Sequence, residues 1–173
     1  MDRAVLLWLN GLRSPAIDPL LTFLSEWGYF AFPLVMLISL LRGRDQARSI
    51  RDGWLTWFFA PFVSETILKP LIARPRPTAG AELRGLLHVL GRVPPANSFA
   101  FPSGTAVACF AGAVFIQLRW GSRYGVPAMI FATMVSLSRV IAGIHWPSDV
   151  LAGAVLGAAF GIALSRLGRW IDR

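Results

Sequence analysis

The sequence predicts an all-α fold, a polytopic bundle of transmembrane helices in a single domain over residues 1–173. Of the 173 residues, 55% are hydrophobic and only 15% charged, against about a quarter charged in a soluble domain. Mean hydropathy is +0.57, and the apolar residues are grouped in long runs. Basic residues cluster beside those runs, as at Arg42, Arg44, Arg48 and Arg51, and again at Arg166, Arg169 and Arg173. Basic clusters at span ends set topology and meet anionic headgroups, so the net charge of +8 is read as membrane contact and not as nucleic-acid binding.

The elements follow in order. Leu6, Leu7, Leu9 and Leu12 can form one apolar helix face, but Asn10, Arg13, Pro15 and Asp18 oppose a span. An interfacial helix followed by a turn at Arg13-Ser14-Pro15 is expected. The short apolar stretch Ala4 to Leu9 is a poor signal peptide. A first span runs from about Pro19 to Leu41, and the arginine-rich link 42–52 is assigned to the cytoplasm. The second span covers about Gly53 to Ile72, and residues 74–100 are expected to form a long proline-containing loop without a strong period. The third span begins near Pro102 and ends before Arg119. The fourth runs from about Val126 to Ile141, and the fifth from about Pro147 to Leu164. In the fifth, Gly153, Gly157 and Gly161 recur every four residues, a pattern of close helix packing. Cys109, the sole cysteine, lies in an apolar run with no activating neighbour.

Counting five spans puts the links 42–52 and 119–123 and the C-terminus on the cytoplasmic side. Lys69, Arg76, Ser103, Arg139, His145 and Asp149 then collect at the opposite face. Six spans, with residues 4–26 also crossing, would change only the side of the N-terminus.

Those residues carry the chemistry. Lys69 lies one helical turn after Glu65, so an ion pair is expected, with Glu65 holding Lys69 toward a phosphate. Arg76 stands between two prolines that stiffen an extended exit from the helix, and a guanidinium grips phosphate through a bidentate fork. Arg74 is read as an ordinary interfacial arginine. Pro102-Ser103-Gly104-Thr105 looks like a helix start: Ser103 can cap it, Gly104 admits a ligand to the backbone, and orphan N–H groups attract an anion. Asp149, four residues beyond His145, can accept the Nδ1 proton and leave Nε2 free to attack phosphorus. A metal site is not expected, since there are only two histidines and no acidic cluster around them.

Lys69-x6-Arg76-Pro77, Pro102-Ser103-Gly104 and Ser138-Arg139-x5-His145-x3-Asp149 together resemble the three motifs of the type-2 phosphatidic acid phosphatase superfamily, which is related to the vanadium haloperoxidases. The resemblance spans residues 69–149. It implies a helical bundle with no required metal or cofactor and a covalent phosphohistidine at His145. It also implies that Lys69, Arg76, Ser103, Gly104 and Arg139 bind the phosphate of a lipid substrate in the plasma (inner) membrane.

One position departs from the pattern. The second motif usually ends in histidine, the acid that protonates the leaving group, and here it is Thr105. A hydroxyl cannot replace an imidazole near neutral pH, and general acid catalysis is worth about 10²–10⁴ in rate. Three explanations stay open: a diphosphate substrate whose leaving phosphate needs no acid, a substitute acid such as His88, or an impaired enzyme. The expected function is hydrolysis of a lipid phosphate or diphosphate, of the polyprenyl diphosphate, phosphatidic acid or phosphatidylglycerol phosphate class. A noncatalytic lipid-phosphate binder and a lipid-to-lipid phosphotransferase are the alternatives, and oligomeric state stays open.

Overall fold

A central helix with almost no solvent-facing surface organises the bundle. The structure is a computed structural model that describes residues 1–39, 47–95 and 97–171. Arg42, Arg44 and Arg173 and the side chains of Arg48 and Arg169, used above for topology, lie outside the described residues. Helix α1 (Asp2–Asn10) is followed by α2 (Asp18–Trp27), which continues through a 3₁₀ turn at Gly28–Phe30 into α3 (Ala31–Ser39). Next come α4 (Ala47–Val63), a π turn at Ser64–Leu68 and α5 (Lys69–Ile72), then α6 (Ala81–Leu86). The chain closes with α7 (Gly104–Trp120), α8 (Ser122–Ile141) and α9 (Pro147–Ile171). Among the described residues there is no strand, and a single bridge pairs Pro75 with Phe99.

Helix α7 is the core. Its small residues, Ala106, Ala108, Ala111, Gly112 and Ala113, are buried, and so are Cys109, Phe115 and Ile116. Small side chains let neighbours approach closely where hydrocarbon supplies no hydrophobic drive of its own. Helix α9 uses this with the predicted glycine stripe. A Cβ on Gly153 would meet the Ser103 carbonyl, one on Gly157 the Val107 backbone, and one on Gly161 the Ala111 carbonyl. On its other sides α7 meets α4 and α8, and Leu24, Phe32 and Met36 of α2 and α3 fill the space beside Phe115 and Val135.

The outer surface is greasy, as a bilayer requires. Leu20, Phe23, Leu34, Phe58, Ile130, Leu151 and Val155 are exposed, far more apolar surface than a soluble monomer tolerates. Residues Asp18–Ile38, Ser122–Ile141 and Pro147–Gly168 are each long and apolar enough to cross a membrane, and α7 is a shorter apolar helix. The protein is therefore an integral membrane helical bundle. Helix α1, at nine residues, reaches only about 14 Å and cannot cross a ~30 Å hydrocarbon core. It lies over α8 and α9 instead, with Leu6 buried among Leu83, Leu87, Ala106, Val140 and Val150.

Several boundaries differ from expectation. The segment 74–100 is not an irregular loop: it holds a 3₁₀ turn at Pro77–Ala79 and α6, and Leu83 of α6 with Leu87 just beyond its end is buried under α1. A six-residue helix carries too few turns to show a period in sequence. The second long helical segment starts at Ala47, inside the polar link, and α9 runs on to Ile171. Helix signals in arginine-rich stretches are polar all round, so hydropathy does not detect them. The π turn follows Pro61, which removes a backbone donor inside α4.

Candidate active site

The site forms where α5 ends, α7 begins, and the α8–α9 turn crosses between them. Helix α5 stops at Ala73, which takes a left-handed φ of 51°. The chain then leaves extended, held as Ala100 N–H donates to the Arg74 carbonyl at 2.8 Å. In extended backbone, residues two apart face the same way. Arg74 and Arg76 do so, and both reach toward the α8–α9 turn.

Arg76 is buried, and its Nε and Nη1 are both engaged. Its Nη1 donates to the Ile144 carbonyl at 2.9 Å and lies 3.0 Å from His145 Nε2, while Nε donates to Ser98 Oγ at 2.8 Å. A guanidinium has no acceptor, so Nε2 receives that bond through its lone pair and the imidazole proton resides on Nδ1. His145 is buried, and its pKa falls well below 6.5 because burial penalises the imidazolium and Arg139, Arg76 and Lys69 repel it. Burial likewise pushes Arg76 below the usual arginine range, against the opposing pull of Glu65 and Asp149.

Lys69 is buried and pairs with Glu65 at 2.7 Å, as the spacing predicts. Glu65 also packs on Gly104, where any Cβ would collide with its carboxylate. Arg139 Nη1 donates to the Ser25 carbonyl at 2.6 Å and to Ser25 Oγ at 3.2 Å, while its Nε has no partner. Ser103 stands at the N-cap of α7, but its hydroxyl makes no cap bond, contrary to the capping role allowed above. That hydroxyl is buried and unpartnered. Ser103 N–H donates instead to the Asp149 carbonyl at 3.0 Å, tying the starts of α7 and α9 together.

Three expectations are corrected. Asp149 Oδ2 stands 3.5 Å from His145 Nδ1, ion-pair range but no hydrogen bond, because Oδ2 already accepts the Trp146 N–H at 2.8 Å. Arg74 is not an ordinary interfacial arginine: its Nη1 donates to Asp149 Oδ1 at 2.7 Å and to Ser148 Oγ at 2.6 Å. Its position two residues before Arg76 in a proline-stiffened run was the signal for a second inward guanidinium. His88 is exposed, its backbone is held by Asn10, and among the described residues no contact joins it to the cation cluster.

A cavity of about 490 Å³ opens onto this cluster, with Thr105, Arg76, Arg139, Ser25, Tyr29 and Leu90 among its walls. Thr105 therefore stands beside Arg76 and Arg139, and His145 lies against Arg76. A larger apolar groove of about 610 Å³, among Phe32, Val35, Trp120 and Phe131, lies toward the far end of α7 and carries no charged residue.

Comparison with known proteins places this arrangement. Residues 53–173 match the PAP2 superfamily. The chain is 31% identical to an undecaprenyl-diphosphatase of Sulfolobus acidocaldarius over 152 residues, covering 87% of this chain and 70% of the relative. It is 27% identical to a lipid A 4'-phosphatase of Bacteroides thetaiotaomicron, covering 91% and 72% of the two chains. Among solved structures, Aquifex aeolicus LpxE superposes with a TM-score of 0.77 at 26% identity, covering 95% of this chain and 94% of that one. A shared helical scaffold, with matching sequence across the segment that carries the cations and the histidine, leads to one assignment: this chain belongs to the PAP2 superfamily.

Proposed function

We propose that this protein hydrolyses a lipid diphosphate or lipid phosphate through a phosphohistidine on His145, at the non-cytoplasmic membrane face. The observation that carries the reading is the Arg76–His145 contact, 3.0 Å from Nη1 to Nε2, within a cluster that also holds Lys69 and Arg139. An incoming phosphate oxygen takes over the Arg76 hydrogen bond and frees the Nε2 lone pair. Nε2 then forms a bond to phosphorus as the bond to the leaving oxygen breaks. Lys69, Arg76 and Arg139, with the Ser103 hydroxyl and the first N–H groups of α7, neutralise the pentacoordinate transition state. Water cleaves the N–P bond and restores the imidazole.

Thr105 narrows the substrate. A lipid alkoxide must be protonated as it leaves, and a threonine hydroxyl does not supply that proton. A phosphate leaving group is stable as an anion. A polyprenyl diphosphate is therefore the preferred class, ahead of phosphatidic acid and phosphatidylglycerol phosphate, and an undecaprenyl-diphosphatase is among the relatives. The spans counted from the sequence, with the Arg-rich links inside, support the orientation.

The test is phosphate release from purified protein with each lipid, together with trapping of an acid-labile phosphoenzyme. Release and labelling that both vanish in His145→Ala are expected. Unchanged release in that variant removes the nucleophile. Binding without release supports a noncatalytic lipid-phosphate binder, and a phosphorylated second lipid identifies a phosphotransferase.

A further inference from the structure

The carboxylate of Asp149 is wholly buried, and a buried carboxylate needs a cation with good geometry. Arg74 supplies it at 2.7 Å. Arg74 is itself only half-buried, so something must hold it. Three contacts do: its guanidinium lies 5.3 Å over the Trp146 ring, its Nη1 donates to Ser148 Oγ, and its Nη2 donates to Asp2 Oδ2 at 2.7 Å.

Asp2 is the centre of this second layer. Its Oδ1 accepts the Ser148 N–H at 3.1 Å, an orphan donor in the first turn of α9, and its Oδ2 accepts the Ser148 hydroxyl. Asp2 thus caps α9 from another helix while clamping Arg74. Burial raises its pKa, but the hydrogen bonds from Ser148 and Arg74 outweigh this and hold it below the usual carboxylate value, so Asp2 is ionised at neutral pH. The far end of α1 is pinned as firmly: Asn10 donates to the Ile141 carbonyl at 2.7 Å and to the His88 carbonyl at 3.0 Å. Helix α1 is a strap across the turn that carries His145, fastened at both ends. The charged groups that face Asp149 are Arg74, Arg76, Asp2 and His145.

We propose that Asp2 is a positioning residue: through Arg74 and Ser148 it fixes the Asp149 carboxylate beside His145 Nδ1 and so maintains the imidazole tautomer whose Nε2 is the nucleophile. This rests on the phosphohistidine reading above. Asp2 touches neither the imidazole nor the cavity walls, and its whole effect passes through its three hydrogen bonds to Arg74 and Ser148.

Two measurements on detergent-solubilised full chain test it. With only two histidines in the sequence, ¹⁵N-histidine labelling reports the His145 tautomer directly, assigned by loss of the signal in His145→Gln. Asp2→Asn is expected to reduce the Nδ1-protonated population of His145 and to lower kcat roughly tenfold, with KM within about twofold. Asp2→Glu restores the charge and most of both readouts. In an Arg74→Gln background, Asp2→Asn adds little, because residues acting in one chain are not additive. Arg3→Gln, which breaks the exposed Arg3–Glu82 pair of the same helix, keeps the wild-type tautomer and kcat.

A wild-type tautomer and kcat in Asp2→Asn, with only a lower melting temperature, overturns the proposal. So does full multiplication of the Asp2 and Arg74 losses. If no lipid phosphate is turned over, the function proposed above fails, while the tautomer measurement still decides this one.

Discussion

Arg76 Nη1 and His145 Nε2 meet at 3.0 Å in the buried heart of the site. Because arginine only donates, this contact places the imidazole proton on Nδ1 and leaves the lone pair on the nitrogen that meets Arg76. The Asp149 carboxylate, 3.5 Å from Nδ1, also supports that tautomer. On the proposed mechanism, the same arginine both prepares the nucleophile and vacates it when phosphate arrives.

Arg76→Ala should lower kcat/KM on a lipid diphosphate by roughly 10²–10³, the usual cost of losing one preorganised donor to a developing oxyanion. Arg76→Lys should recover little, because an ammonium cannot bond Ser98, Ile144 and the imidazole edge in one plane. Near-complete rescue by lysine would show that charge alone matters.

His145 should remain neutral well into the acid range. Its pKa in the fold lies below its unfolded value of 6.5, so the unfolded chain takes up the proton first. Its contribution to stability is complete above about pH 6.5 and is lost as pH falls from there toward the folded value. Thermal unfolding followed from pH 7.5 downward should show the melting temperature falling more steeply in wild type than in His145→Gln. An NMR titration midpoint near 6.5 for His145 would contradict the buried, cation-flanked environment.

Thr105→His should raise turnover of a lipid monophosphate by one to several orders of magnitude, within the ~10²–10⁴ range of general acid catalysis, and change diphosphate turnover much less. The cavity beside Thr105 has room for the larger ring. Equal gains on both substrates would remove leaving-group chemistry as the reason for threonine.

Gly157→Leu should destabilise the bundle without touching the site. A Cβ there already collides with the Val107 carbonyl on α7, and overpacking costs about 1–3 kcal/mol before any larger side chain is placed. Thermal unfolding in detergent measures this, and Leu156→Ala, on the same helix, provides a cavity-forming control.

Much of the site could be read from the chain because charged groups are rare in this composition. Lys69, Arg139 and His145 stand out against apolar neighbours, and Glu65 lies one helical turn from Lys69, so their proximity follows from helix geometry and span counting. Arg74 and Asp2 escaped for a different reason. Asp2 meets Arg74 across 72 residues and Ser148 across 146. Such pairings are set by the way α1 folds back over the bundle, and no local period records them. The short helix α6 was hidden in the same way, since its Leu83 and the Leu87 that follows it acquire a burial pattern only from the partner α1.

The amino-acid order alone indicated a membrane helical bundle, the glycine stripe of α9 and the charged residues that the fold gathers around His145, because hydropathy and helical spacing are properties of a chain read locally. The folded arrangement decided which atom of His145 holds its proton, that Arg74 and the Trp146 N–H, and not the imidazole, donate to the Asp149 carboxylate, and that Asp2 closes the network. Those outcomes depend on distances of a few tenths of an ångström between distant segments, and only packing sets them.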